Sequence, residues 1–138
     1  MTGVQTCALP ISKFLLPRWY GKEGDWERFA EESIKEPGGP GAEAYAQIVL
    51  SLDRYYEHIF RGSKARWDLT KAGLELMRER YPESTNLISD FAVMAARGND
   101  PKSARKLFDE LGDRIDRRYW KTKDRFLYHY RYAHPEAR

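Results

Sequence analysis

The sequence predicts an all-α protein of about six helices that pair as antiparallel hairpins. Two observations lead to this class. Apolar residues recur every three or four positions along most of the chain, as they do on one face of a helix. Stretches containing proline or glycine separate these segments and are short enough to be turns between helices. This pattern is typical of a helical repeat or an irregular helical bundle.

The composition excludes two other classes of protein. Aromatic residues make up 14% of the chain, which is too many for a disordered protein. No apolar run approaches the length that a membrane-spanning helix needs. The formal net charge of +3 does not by itself indicate a nucleic-acid partner.

The first twelve residues, MTGVQTCALPIS, resemble a translated sequencing adapter. We therefore exclude residues 1–12 from the fold prediction, as a non-native segment. Cys7 is the only cysteine and lies in this segment, so we predict neither a disulfide nor thiol chemistry. We expect residues 13–138 to form a single domain, the C-terminal part of a larger protein. We expect the true N-terminus to be missing, so the sequence does not establish the cellular compartment of the protein, and the cytoplasm is favoured.

Residues 13–22 contain Pro17 and Gly21 and lack a helical period, so we predict an extended lead-in. Within it, Arg18 and Trp19 could form a binding pair, with a guanidinium beside an indole that holds an anion or a peptide. In the alternative, Trp19 packs in the interior and the stem of Arg18 covers it.

Three helices are predicted to follow, at 25–36, 42–61 and 64–81. Pro37 ends the first, and Pro82 ends the third. The third helix is apolar on two sides, so we expect it to lie sandwiched at the centre of the fold. The apolar positions are Trp26, Phe29, Ala30 and Ile34 in the first helix, Tyr45, Ile48, Val49, Leu52, Tyr56, Ile59 and Phe60 in the second, and Trp67, Leu69, Ala72, Gly73, Leu74, Leu76, Met77 and Tyr81 in the third.

Residues 83–112 are predicted to form a hairpin of two short helices. Ser84 or Thr85 can cap the first helix, and Gly98 can close it. Asp100 followed by proline can open the second helix, because proline loses no hydrogen bond at the first helical position. The two apolar faces consist of Leu87, Ile88, Phe91, Ala92 and Ala95, and of Ala104, Leu107, Phe108 and Leu111, with Gly112 as the final stop.

This hairpin resembles the repeats of tetratricopeptide-type and Sel1-like proteins, and the resemblance covers about one repeat of thirty-odd residues. It implies a helical-repeat fold. The wider chain, with its Leu-Pro-Arg-Trp segment, also resembles uncharacterised bacterial helical proteins that carry a domain of unknown function, which implies no activity. The residues that carry the first resemblance are Phe91, Ala92, Ala95, Gly98, Asp100, Ala104, Leu107, Phe108 and Leu111.

The last segment, 113–138, fits two patterns. One set of residues has helical spacing, whereas Phe126, Tyr128, Tyr130 and Tyr132 alternate as a strand would. We predict a helix, because a single strand would have no partner in an otherwise helical chain.

Within it, residues 117–132 combine six cations with six aromatic rings and only one acid, Asp124. Cations interleaved with rings are what single-stranded nucleic acid or a phosphorylated partner would need. In the alternative, the rings pack on the hairpin and the cations solvate the outer face of a terminal helix. The cations are Arg117, Arg118, Lys121, Lys123, Arg125 and Arg131.

Signals for an enzyme are sparse. The three histidines lack zinc-ligand spacing, and no glycine-rich phosphate loop follows a predicted strand. Asp53, Glu57 and His58 could support acid–base chemistry, but the spacing of the two acids beside Arg54 and Arg61 is also that of a solvated ion-pair face. We therefore predict a protein that is not an enzyme and has no metal or cofactor.

The leading prediction is a helical-repeat module that binds a protein or peptide partner through aromatic residues. The alternative is nucleic-acid or polyanion binding through 117–132. An exposed apolar face near residues 14–19 or Trp26 would also make the fragment self-associate. Candidate aromatic contacts are Trp19, Tyr45, Trp67 and Trp120, and the full set of candidate binding residues is Arg18, Trp19, Arg117, Arg118, Trp120, Lys121, Lys123, Arg125 and Arg131.

Overall fold

The computed structural model describes residues 15–16 and 21–137. Over this part of the chain it contains eight α-helices, two short 3₁₀ turns and no β-strand, which confirms the predicted all-α class. The chain divides into two compact units between Met77 and Arg78. No helix in the described ranges is long and apolar enough to cross a membrane. The segment that resembles an adapter, 1–12, lies outside the described residues.

The first unit contains α1 (Asp25–Ile34), α2 (Ala42–Leu52), a 3₁₀ turn (Asp53–Tyr55), α3 (Ile59–Gly62) and most of α4 (Trp67–Arg80). Gly24 caps the start of α1, and Gly41, in the predicted turn after Pro37, caps the start of α2. The core of this unit consists of side chains that are fully or almost fully buried: Trp26, Ala30, Tyr45, Ala46, Ile48, Val49, Leu52, Ile59 and Leu74.

The predicted long helix 42–61 is wrong, because α2 ends at Leu52 and the backbone of Tyr56 is extended. The stretch after Leu52 contains Asp53, Tyr55, Tyr56 and His58, residue types that form helices only weakly. A tertiary contact holds the extended conformation at Tyr56, because Trp26 Nε1 donates a hydrogen bond to the hydroxyl oxygen of Tyr56 at 2.8 Å. The chain then re-enters a helix at Ile59, whose side chain is fully buried.

Helix α4 buries one face rather than the two that were predicted. Thr70, Gly73 and Leu74 are buried, whereas Ala72 is exposed and Leu76 is 40% exposed. The prediction that α4 lies sandwiched at the centre of the fold is therefore wrong, because its second apolar face is not buried.

The second unit begins with the predicted hairpin, α5 (Thr85–Arg97) and α6 (Pro101–Leu111), which is confirmed. The side chain of Ser84 accepts a hydrogen bond from Leu87 N, so Ser84 caps α5. Asp100 caps α6 by accepting from Ser103 N. Gly98 caps the end of α5, as predicted, with φ −80°, and the left-handed residue in the connection is Asn99, with φ 56°. Ala92, Ala95 and Ala104 have no exposed surface, as expected for closely packed helices.

The last segment is helical, as predicted, but it forms two helices. Helix α7 (Arg117–Trp120) and α8 (Lys123–Ala133) are followed by a 3₁₀ turn (Pro135–Ala137). Lys121 separates the two helices with φ 69° and ψ −55°, and Thr122 N donates to Trp120 O across it at 2.8 Å. This is a tight three-residue turn with a strained central residue. Helix α8 packs against both α5 and α6.

Candidate interaction surface

The inner side of the C-terminal segment packs around Phe108 of α6. The Phe108 ring centroid lies 5.9 Å from that of Trp120, 5.7 Å from that of Phe126 and 5.8 Å from that of Tyr130. Phe108 and Trp120 are each 2% exposed. These three rings of the segment 117–132 therefore stabilise the fold, and the Trp120 ring is not accessible to a partner.

Arg125, one of the candidate binding cations, is engaged within the chain. Its guanidinium carbon lies 5.3 Å from the ring centroid of Tyr119 and 5.4 Å from that of Trp120. Its Nη1 donates to Tyr119 O at 2.9 Å. Arg125 is therefore held over two rings and bonded to a carbonyl, so it contributes to packing within the chain.

Tyr119 connects α7 to α5. Its hydroxyl donates to Asp90 Oδ1 at 2.5 Å. Burial, together with the negative charge of Asp90, raises the pKa of Tyr119 well above its usual range. The hydroxyl therefore stays protonated and acts as a permanent donor to this carboxylate, which makes it a structural contact.

The other cations of the segment lie on the surface. Arg117, Arg118, Lys121, Lys123 and Arg131 are all exposed. Of these, Arg118 approaches an acid, with its Nε 3.5 Å from Asp116 Oδ1. The structure thus separates the predicted basic aromatic segment into an interior set of rings and an exterior set of charges.

Helix α8 carries a second stripe of side chains on the side opposite its packed face. Asp124, Leu127, Tyr128, Arg131 and Tyr132 recur at helical spacing and together line a surface cleft. Tyr128 is 75% exposed, the largest fraction among the exposed large hydrophobic residues of the described chain. Leu127 and Tyr128 lie between the opposite charges of Asp124 and Arg131, and Tyr132 follows Arg131 at the end of the stripe.

Tyr132 is the most constrained member of this stripe. Its hydroxyl donates to Asn99 Oδ1 at 2.8 Å. Asn99 is the left-handed residue that connects α5 to α6. This contact ties one end of the stripe to the hairpin, so that part of the surface is already ordered before any partner binds.

The sequence did not reveal a contact made by His134, just after α8. Its Nε2 lies 2.8 Å from Asp109 Oδ1, and its ring stacks on Tyr130 with the centroids 4.3 Å apart. His134 is 5% exposed. The only signal in the sequence was a histidine at the end of a helix, where a cation suits the helix dipole, and its partner lies 25 residues away.

The remaining candidate aromatic residues that the structure describes are buried or half-buried. Tyr45 is fully buried, its hydroxyl oxygen accepts from Arg66 N at 2.8 Å, and burial raises the pKa of Tyr45 to about 12. Trp67 is half-buried, with its ring edge-to-face against Phe60. Trp26, expected on an exposed apolar face, has no exposed surface. Arg18, Trp19 and the rest of the predicted face at 14–19, apart from residues 15–16, lie outside the described residues.

The acid–base group considered from the sequence is not held on one helix. Asp53 lies in the 3₁₀ turn after α2, and His58 precedes α3. Within the described residues no group of three histidine, cysteine, aspartate or glutamate side chains is placed to hold a metal ion. Comparisons of the chain with protein-family models, with curated proteins and with solved structures found no match.

Proposed function

We propose that this chain is a non-enzymatic helical interaction module that binds a protein or peptide partner along the outer stripe of α8. The resemblance to tetratricopeptide-type repeats belongs to the same proposal, since such hairpins commonly act as recognition scaffolds. The single observation that carries it is the exposure of Tyr128, at 75%, within a stripe that also contains Leu127 and Tyr132.

The division of the aromatic residues supports this position for the surface. Trp120 and Tyr45 are buried and cannot supply binding energy without unfolding. Tyr128 is instead directed away from the core, and tyrosine is enriched among the residues that dominate interface affinity. An amphipathic helix of a partner could lie along such a stripe and bury its own apolar face.

A peptide selection tests this proposal. A library of helix-forming peptides is selected on the immobilised wild-type chain, and the enriched peptides are measured by fluorescence anisotropy. We expect Tyr128→Asp to weaken their binding at least about tenfold, because it places a charge at the centre of the contact. The matched control is Tyr81→Asp, at a tyrosine that is 54% exposed beyond the end of α4, and it should leave binding unchanged. Equal losses in the two variants would refute the proposal, as would a chain that enriches no peptide and also stays monomeric.

Polyanion binding is the second candidate, and the exposed cations favour it. Arg117, Lys121 and Lys123 are exposed and make no ion pair with any described residue. The buried ring of Trp120 counts against it, because single-stranded nucleic acid is usually held by stacking as well as by charge. On this candidate, filters would retain single-stranded RNA at low salt and lose it at high salt. Retention that is absent at low salt would exclude it.

A further inference from the structure

The outer stripe of α8 has a charge pattern that is complementary to itself. Asp124 and Arg131 are seven residues apart, which is about two turns or roughly 10 Å along the helix. Both are exposed and lie on the same face as Leu127 and Tyr128. Neither makes an ion pair with any residue that the structure describes. The apolar residues lie midway between the two opposite charges.

We propose that the partner of this stripe is a second copy of the same chain, bound antiparallel about a two-fold axis between Leu127 and Tyr128. In this arrangement Asp124 of each copy faces Arg131 of the other, because an isologous contact pairs each residue with its counterpart reciprocally. Leu127 then meets Leu127 of the second copy, and the two exposed Tyr128 rings lie side by side. This inference rests on the proposed function, since it names the occupant of the same surface.

Charge complementarity favours this occupant over others. An antiparallel copy supplies two ion pairs and two apolar contacts with no further requirement on its sequence. A parallel copy would instead place Asp124 against Asp124 and Arg131 against Arg131, and like charges in contact oppose association. A polyanion would meet Asp124 in the stripe, which repels it. One helical stripe is a small interface, so we expect a weak dimer with a dissociation constant on the order of 10–100 µM.

The test uses two charge reversals in the full-length chain, Asp124→Arg and Arg131→Asp, measured by sedimentation equilibrium from micromolar to millimolar concentration. Each variant alone places two like-charged pairs in the dimer, so each should weaken dimerisation at least about tenfold. An equimolar mixture of the two variants pairs arginines only with aspartates. The mixture should therefore form a heterodimer about as tightly as the wild-type homodimer.

Two controls accompany this test. Lys106→Asp reverses an exposed charge on α6 and should leave dimerisation unchanged. Circular dichroism establishes that each variant keeps its helical content. Three results would overturn the inference: a wild-type chain that stays monomeric, self-association that the charge reversals do not alter, or a mixture as weak as the single variants.

The peptide selection separates this inference from the proposed function. A monomeric wild-type chain that still binds peptides through Tyr128 refutes the self-pairing and leaves the interaction module standing. A chain that neither dimerises nor binds peptides refutes both.

Discussion

Replacing Phe108 with alanine is expected to lower the free energy of unfolding by about 3–5 kcal/mol, because the change removes a large buried ring and leaves a cavity. The loss should be at the upper end of that range. Phe108 is 2% exposed and contacts the rings of Trp120, Phe126 and Tyr130, so the cavity lies at the junction of α6 with the C-terminal helices. Urea denaturation followed by circular dichroism measures the change.

Two companion variants make the Phe108 result specific. Phe108→Leu keeps most of the apolar volume and should cost much less than the alanine variant. Tyr128→Ala removes an aromatic ring that is 75% exposed and should change stability by no more than about 0.5 kcal/mol. A cost below about 1 kcal/mol for Phe108→Ala would mean that the C-terminal rings do not pack on α6.

The substitution Gly73→Ala is expected to destabilise the first unit by about 3 kcal/mol or more, through overpacking. A Cβ atom at Gly73 would lie 2.2 Å from Ala42 O and 2.6 Å from Ala46 Cβ, both in α2. A backbone carbonyl cannot move aside as a flexible side chain can, so α2 and α4 would have to separate. Thermal or urea unfolding of the purified variant measures the effect.

The sign of the Gly73 effect is itself diagnostic. Glycine within a helix normally costs about 0.5–1 kcal/mol relative to alanine, so the same change at an open position would stabilise the protein. The matched control is Ala72→Gly at the preceding, exposed position of α4, which should cost only about that amount. A Gly73→Ala variant as stable as the wild type would contradict the close approach of the two helices.

Local signals were enough to predict the hairpin of α5 and α6. Ser84, Asp100, Pro101 and Gly112 act within a few residues of their own positions, so their capping roles can be read directly from the sequence. The same applies to the starts of α1 and α2, which follow glycine-containing turns.

Two breaks between helices were not predicted, one associated with a long-range contact and one with a local turn. The break after α2 depends on the bond between Trp26 and Tyr56, which lie 30 residues apart. The break between α7 and α8 places Lys121 in a left-handed conformation that no glycine or asparagine signalled. Hydrophobic periodicity reveals neither the bond between Trp26 and Tyr56 nor the turn at Lys121, because it records only the neighbours along one helix.

The outer stripe of α8 was not predicted as a binding surface, because Arg131 is the only one of its five residues that was a candidate binding residue. The sequence showed that the segment 117–132 is rich in aromatic rings and cations. It did not show which of these side chains face the interior and which face outwards. Only the packing on Phe108 separates Phe126 and Tyr130, which are turned inwards, from Tyr128, which is turned outwards. The helical spacing of the outer stripe could have been found from the sequence once the strand-like alternation was set aside.

Hydroxyl-radical footprinting of the intact chain tests most directly whether α8 has an inner, packed side and an outer, exposed side. Each oxidation rate is divided by the rate of the same residue in the urea-unfolded chain. At low protein concentration Tyr128 should retain more than about half of its unfolded rate, whereas Trp120 should fall below about a tenth. A Trp120 ring that is oxidised as readily as Tyr128, or a Tyr128 ring that is equally protected, would contradict the division of this helix.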